Sequence, residues 1–253
     1  MFSFLLHNAS QFPIIEYDVL GGWDMSIKEL LNEILLKDKA LIHLPFGEGK
    51  FDIYESVVVT WIIMAVLLIL LLILTRDFKV HNISKRQAAV ESFVQWVRGI
   101  VDGMLGEEGA RYSEYIFTVL VFLAVANMVG LFGFIPPTMD INVTAALSLM
   151  SIVLVEAAGI KKKGVGKWLK GFAQPMAIIA PMNVLELAIR PLSLCMRLFG
   201  NIIGATVIME LIKHVLPVFL PVPFCLYFDI FDGLIQAYVF VFLTSLYIKE
   251  AVE

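Results

Sequence analysis

Residues 56–75 read SVVVTWIIMAVLLILLLILT, 20 positions in succession without a charge. A helix rises 1.5 Å per residue, so about 20 apolar residues carry it across a hydrocarbon core about 30 Å thick. This run requires lipid as part of the solvent. The composition agrees: 59% of residues are hydrophobic and 17% charged, against about 45–50% and about 25% in soluble domains. Mean hydropathy is +0.85. A 253-residue globule has too little interior for that much apolar surface, because more than half of a folded surface is already apolar. A disordered chain, a disulfide scaffold and an ordinary soluble enzyme are excluded. The net charge of −4 provides no basic field, so nucleic acid is not expected as a partner. Cys195 and Cys225 lie in apolar stretches without a C-x-x-C spacing and point to no redox site.

Four further segments are apolar enough to be spans: Tyr115 to Met139, Ile141 to Val155, about Gly171 to Val215, and about Pro223 to Ile248. The last two carry ionisable residues and are too polar for plain anchors. Residues 76–112 hold six Lys/Arg and residues 161–170 hold five, whereas the loop from Pro136 to Ile141 holds none. The excess of basic residues in cytoplasmic loops then predicts an N-terminus outside and a C-terminus inside. The expected fold is an all-α polytopic membrane protein of about five membrane helices. Its parts are an outside-facing segment, 1–55, a membrane helix, 56–75, a cytoplasmic loop, 76–113, and a four-helix membrane domain, 114–253. Two amphipathic helices are expected outside the spans, over Asp24–Ile42 and over Ser84–Leu105. The start, MFSFLLHNAS, lacks a basic n-region, so a cleaved signal peptide is not expected.

The informative residues are those that lipid excludes. In the fourth span Glu186, Arg190, Ser193, Arg197 and Asn201 are spaced 4, 3, 4 and 4, which places them along one helix face. Arg197 is the costliest of them. An Arg at the bilayer centre costs from about 2.5–3.5 kcal/mol on insertion scales to about 10–17 kcal/mol on an isolated helix. An arginine side chain, unlike a lysine, cannot escape that cost by giving up its proton. Such a residue marks an ion pathway, or else pairs with a buried carboxylate to fix packing or snorkels to an interface. Snorkelling toward the nearby basic loop explains Arg190 as well as a functional role does. In the last span Asp229, Asp232 and Gln236, spaced 3 and 4, share a face. Buried carboxylates can take up and release protons. A solvated helix end would explain the two aspartates otherwise.

The stretch RPLSLCMRLFGN, Arg190 to Asn201, resembles the signature of subunit a of bacterial F-type ATP synthases. ANMVGLFGFIPPTMDINVTAALSL (126–149) and PMNVLEL (181–187) are similar to the segments that precede the signature in that family. LIQAYVFVFLTSLYI (234–248) is similar to its C-terminal helix. The resemblance covers about residues 85–250. It implies that Arg197 is the essential arginine facing a rotating ring of c subunits, with Asn201 and Gln236 as polar neighbours. It implies that the last two long helices form a tilted hairpin against the ring, and that two half-channels meet near the arginine without connecting. The partners implied are the c ring, the b subunits of the peripheral stalk, the bilayer of a bacterial plasma membrane, and transported H⁺ or Na⁺. No cofactor and no catalytic site are implied on this chain. There are departures: Thr206 stands where relatives often carry Glu or His, with Glu210 one turn further on, and Asp229 stands where His or Glu is common. The outer half-channel is then expected at Asp229, Asp232 and Glu210, and the inner one at Glu186.

Two other classes fit parts of the same pattern. A secondary transporter would suit the broken fourth span, with Pro175, Pro181 and Pro191 inside it, but no internal repeat is visible. A channel would need a ring of like charges, which one Arg per chain could supply in an oligomer. An enzyme is disfavoured, since H-E-x-x-H and Gly-rich phosphate loops are absent.

Overall fold

The computed structural model describes residues 40–42, 53–76, 78–79, 84–132, 134–166, 168, 180–215 and 221–252. Most of the first segment, including residues 24–39 of its expected amphipathic helix, lies outside these. The last three positions of that expected helix are not helical. Ala40–Ile42 forms β1, which pairs antiparallel with β2, Ile53–Tyr54, in a small ribbon ahead of the first membrane helix.

All other elements among the described residues are helical. α1 is Glu55–Thr75, α2 Lys85–Gly109, α3 Ser113–Met128, α4 Ile141–Lys163 and α5 Ala180–Val215. α6 is Pro221–Leu226 and α7 Gly233–Val252, joined by a π-helical segment, Tyr227–Asp232. Among the described residues five helices are long and apolar enough to cross a membrane, as the sequence predicts: Glu55–Thr75, Ala110–Phe132, Ile141–Lys163, Pro181–Met209 and Pro223–Val252. The third is longer than its apolar run. Lys161, Lys162 and Lys163 form its last turn rather than a loop, where cations meet the negative end of the helix dipole. Gly164, at φ 78°, then ends it.

Helix ends follow local chemistry. Asp140 precedes α4 and accepts from the Asn142 amide at 2.8 Å through its carboxylate, an N-cap. Its other oxygen accepts from Ser56 Oγ at 2.6 Å, which ties the start of α1 to the start of α4. In α2 the helical path breaks at Gly106, where φ is 68°, a left-handed value that glycine adopts without steric cost. The expected amphipathic helix over Ser84–Leu105 is present as α2. Val97, Val101 and Leu105 are buried, while Phe93 and Trp96 are exposed.

α7 is the centre of the bundle, packed by α2, α3 and α4. Leu105, Ile116, Leu123, Val155, Leu198, Phe240 and Ile248 share one fully buried cluster. α4 packs against both α5 and α7, whereas α5 and α7 meet directly over a smaller area. Lipid tails are as apolar as leucine, so burial of apolar surface does not drive helices together in a bilayer; close packing and polar bonds do. α4 has the side chains for this. Thr144, Ser148, Ser151, Ala158 and Gly159 are buried on it. A Cβ at Gly159 would lie 3.4 Å from the Ala251 carbonyl oxygen of α7. α1 is the opposite case. Only Val59 and Ile63 are buried on it, and Trp61, Val66, Leu68 and Ile73 are open to the surroundings.

Candidate functional site

Three polar groupings lie on α5 and the α6–α7 arm. The first is at mid-helix. Asn201 donates its Nδ2 to Oε1 of Gln236, joining α5 to α7. Gln236 is 3% exposed, and its Nε2 has no hydrogen-bond partner among the described residues. Arg197, one turn before Asn201, is half-buried and forms no ion pair with any described residue. On one side of the stripe α5 buries Leu194, Cys195 and Leu198. On the other it exposes Leu185, Ile189, Leu192 and Met196, each at 49% or more. Arg197 therefore sits at the margin between a packed face and an open apolar one. Ser193 is exposed on the same stripe. Thr206 is half-buried and donates to the Ile202 carbonyl at 2.9 Å, a bond within its own helix. Glu210 lies on α5, but its side chain is outside the described residues.

The second grouping is the π segment. Asp229 Oδ2 accepts from Cys225 Sγ at 2.9 Å. The Asp229 carboxylate lies over Gly130, where a Cβ would come within 3.0 Å of Oδ1. A residue with a side chain at 130 would push that carboxylate aside. Asp232 is half-buried on the same segment. The π path is held from α3: buried Asn127 donates its Nδ2 to the Gly233 carbonyl at 2.9 Å and accepts from Thr138 Oγ1 at 3.0 Å. A Cβ on Gly233 would meet Asn127 Cβ at 3.0 Å, so the two helices approach closely there. A scan for charges inside spans passes over Asn127, because it is neutral. Its one signal is a carboxamide in the otherwise apolar run from Tyr115.

The third grouping lies where α4 ends, α5 begins and α7 ends. Arg190 Nη2 donates to Glu186 Oε1 at 2.8 Å and to Glu250 Oε1 at 2.7 Å. Its guanidinium carbon stands 4.9 Å from the centre of the Tyr247 ring. Arg190, Glu186 and Glu250 border an open cleft of about 290 Å³ that also takes in Glu156, Lys163, Trp168 and Asn183. Trp168 Nε1 donates to Glu156 Oε2 at 2.9 Å across the same cleft. Glu250 and Tyr247 were not among the sequence candidates, since nothing at a helix terminus marks a glutamate as anything but solvated.

Comparison with known proteins matches residues 57–249 to the family described as ATP synthase A chain. The chain belongs to this family. A relative from Moorella thermoacetica, "ATP synthase subunit a", is 37% identical over 210 residues, covering 82% of this chain and 95% of its own. "ATP synthase subunit a 2" of a Bradyrhizobium strain is 34% identical, covering 83% and 93%. "ATP synthase subunit a, sodium ion specific" of Propionigenium modestum is 30% identical, covering 81% and 76%. The helical, multi-span architecture and the RPLSLCMRLFGN resemblance are both accounted for by this membership.

Proposed function

We propose that this chain is the ion-conducting stator of an F-type ATP synthase, working against a ring of c subunits. The observation that carries the reading is Arg197, a permanent cation deep in a membrane helix with no carboxylate of its own chain paired to it among the described residues. Leaving such a charge without a partner is costly in lipid. A carboxylate on a neighbouring subunit, brought against the exposed apolar strip of Leu185, Ile189, Leu192 and Met196, would supply the partner. α5 favours that geometry too. Its 36 residues span about 54 Å, well beyond a core about 30 Å thick, so it tilts or projects.

The chemistry follows from charge and solvation. An ion enters an outer half-channel formed by Asp229, Asp232 and Glu210, and neutralises a ring carboxylate. The neutral site can turn through lipid, where an ionised one would lose its hydration at a cost of several kcal/mol. On the far side Arg197 favours the ionised form and drives the ion off. Release is into an inner half-channel, for which the cleft beside Glu186 and Glu156 offers a mouth. The fixed charge also keeps the two half-channels from joining. The driving force is about 2.3 kcal/mol per charge per 100 mV, so several ions are needed for each ATP.

In this reading the N-terminus is outside, the C-terminus is cytoplasmic, the membrane is a bacterial plasma membrane, and the b subunits of a peripheral stalk hold the chain against rotation. The ion is H⁺ or Na⁺; selectivity lies mainly with the ring carboxylate on another chain. The family match favours this reading over a secondary transporter or a channel. The test is Arg197→Ala in the assembled enzyme. ATP-driven ion uptake into vesicles is expected to vanish while the detached soluble head still hydrolyses ATP. Retained uptake would overturn the assignment. Repeating the wild-type measurement with and without Na⁺ identifies the ion.

A further inference from the structure

We propose that Arg190 is a positioning residue: its ties to Glu250 and Tyr247 fix the register of α5 against α7, and with it the place of Arg197. The inference rests on the function proposed above for Arg197. Among the described residues two polar ties join these helices, Arg190 to Tyr247 and Glu250, and Asn201 to Gln236. Eleven residues separate Arg190 from Asn201 on α5, and eleven separate Gln236 from Tyr247 on α7. The two helices run antiparallel here, so the equal spacing means that both ties report one register. They stand about 16 Å apart along the axis, and Arg197 lies between them.

α5 and α7 pack mainly through α4 and touch each other over a small area, so few direct contacts specify their relative slide. A slip of one residue would move each side chain by about 1.5 Å and about 100°, which neither tie tolerates. Arg190 suits the task. It is 14% exposed, against 56% for Glu186 and 58% for Glu250. One nitrogen serves two carboxylates, one on its own helix and one on α7, while the guanidinium carbon stands over the Tyr247 ring. A planar, permanently charged guanidinium can do all three at once. The Glu186 bond orients the guanidinium from within α5, and the Glu250 bond transmits that orientation to α7.

The experiment uses the assembled complex in vesicles and reads ion uptake per ATP hydrolysed, with incorporation of the chain checked by its recovery in the purified complex. Four forms are compared: wild type, Arg190→Gln, Arg197→Ala, and the exchange Arg190→Glu with Glu250→Arg. Arg190→Gln is expected to lower uptake per ATP about fivefold. In the exchange, the arginine at 250 faces Glu186 and the new carboxylate at 190, and at least half of the loss should return. A wild-type ratio in Arg190→Gln overturns the proposal. So does an exchange that fails to restore what the single variant loses, whether that is uptake or incorporation. Arg197→Ala separates the two readings. If it keeps wild-type uptake, the function proposed for Arg197 falls while the exchange still judges the tie.

Discussion

Arg190 and Arg197 are the same residue type on the same face of the same helix, two turns apart. Their surroundings differ completely. Arg190 is bound by two carboxylates and lies against an aromatic ring. Arg197 has no ion-pair partner among the described residues and borders an exposed apolar strip. A half-buried cation with two carboxylates in place is a structural element, even with its Nε unpartnered among the described residues: it holds whatever those carboxylates belong to. A membrane cation without one is the case for which the proposed function supplies a partner on a neighbouring subunit. Periodicity brings the two arginines onto one stripe but does not distinguish these cases, because the distinction lies on α7.

The largest expected effect is at Arg197, when each arginine in turn is replaced by lysine. Lysine keeps the charge but is readily neutralised when desolvated, and it lacks the planar fork. Arg197→Lys should lower ATP-driven uptake by at least about 30-fold, equivalent to roughly 2 kcal/mol of lost stabilisation. Arg190→Lys should lower it less than about threefold, since a point charge still reaches two carboxylates. Similar losses at both positions, read from initial uptake rates, would erase the contrast between them.

Next comes Asn127, a third polar side chain inside the bundle, neutral and partnered through both its amide nitrogen and its oxygen. Asn127→Leu leaves the Gly233 carbonyl and the Thr138 hydroxyl without these bonds. Each such loss costs about 1–3 kcal/mol. The expected outcome is faster amide hydrogen exchange over residues 227–236, with α5 unchanged. Faster exchange throughout the bundle would mean that the π segment is not a separate unit.

Asp229 sharpens the comparison from the other direction, as an anion placed by shape. Gly130 leaves room for its carboxylate. Asp229→Asn should slow proton uptake a few-fold without stopping it, and Gly130→Ala should do the same by displacing the group by a few tenths of an ångström. Uptake rates measured against outside pH decide this. Rates unchanged at every pH in both variants would move the outer half-channel away from the π segment.

How much of this could be read from the chain alone depends on the range of the interaction. The five spans, the stripe from Glu186 to Asn201 and the helix over Ser84–Leu105 are set by periodicity and hydropathy, which are local, and they are present. The resemblance at RPLSLCMRLFGN led to the family. Three features were not legible. Ala40–Ile42 is strand rather than the end of a helix, because its partner Ile53–Tyr54 lies eleven residues on, past a segment with no pattern of its own. Lys161 to Lys163 close α4 instead of forming a loop, since a helix in contact with the aqueous interface can carry charges on its last turn. Glu250 looks like any solvated terminal glutamate until α7 is folded back along α5. For Glu250 the deciding contact joins distant parts of the chain, and for the ribbon it spans a segment that carries no periodicity to announce it.

The smallest effect separates the two carboxylates that share the Arg190 guanidinium. Glu186 and Glu250 are nearly equally exposed and equally close. Only their connections differ. Glu186 is four residues before Arg190 on the same helix, the favourable orientation for a pair worth about 0.2–0.5 kcal/mol. That bond steadies α5 and says nothing about α7. Glu250 reaches across to the other helix. Charge count and solvation therefore predict equal losses for Glu186→Gln and Glu250→Gln, whereas a register role predicts unequal ones. Uptake per ATP should fall less than about 1.5-fold in Glu186→Gln and about two- to threefold in Glu250→Gln. Equal losses would return Arg190 to the rank of an ordinary surface ion pair, and would leave Asn201 and Gln236 as the polar tie that places Arg197.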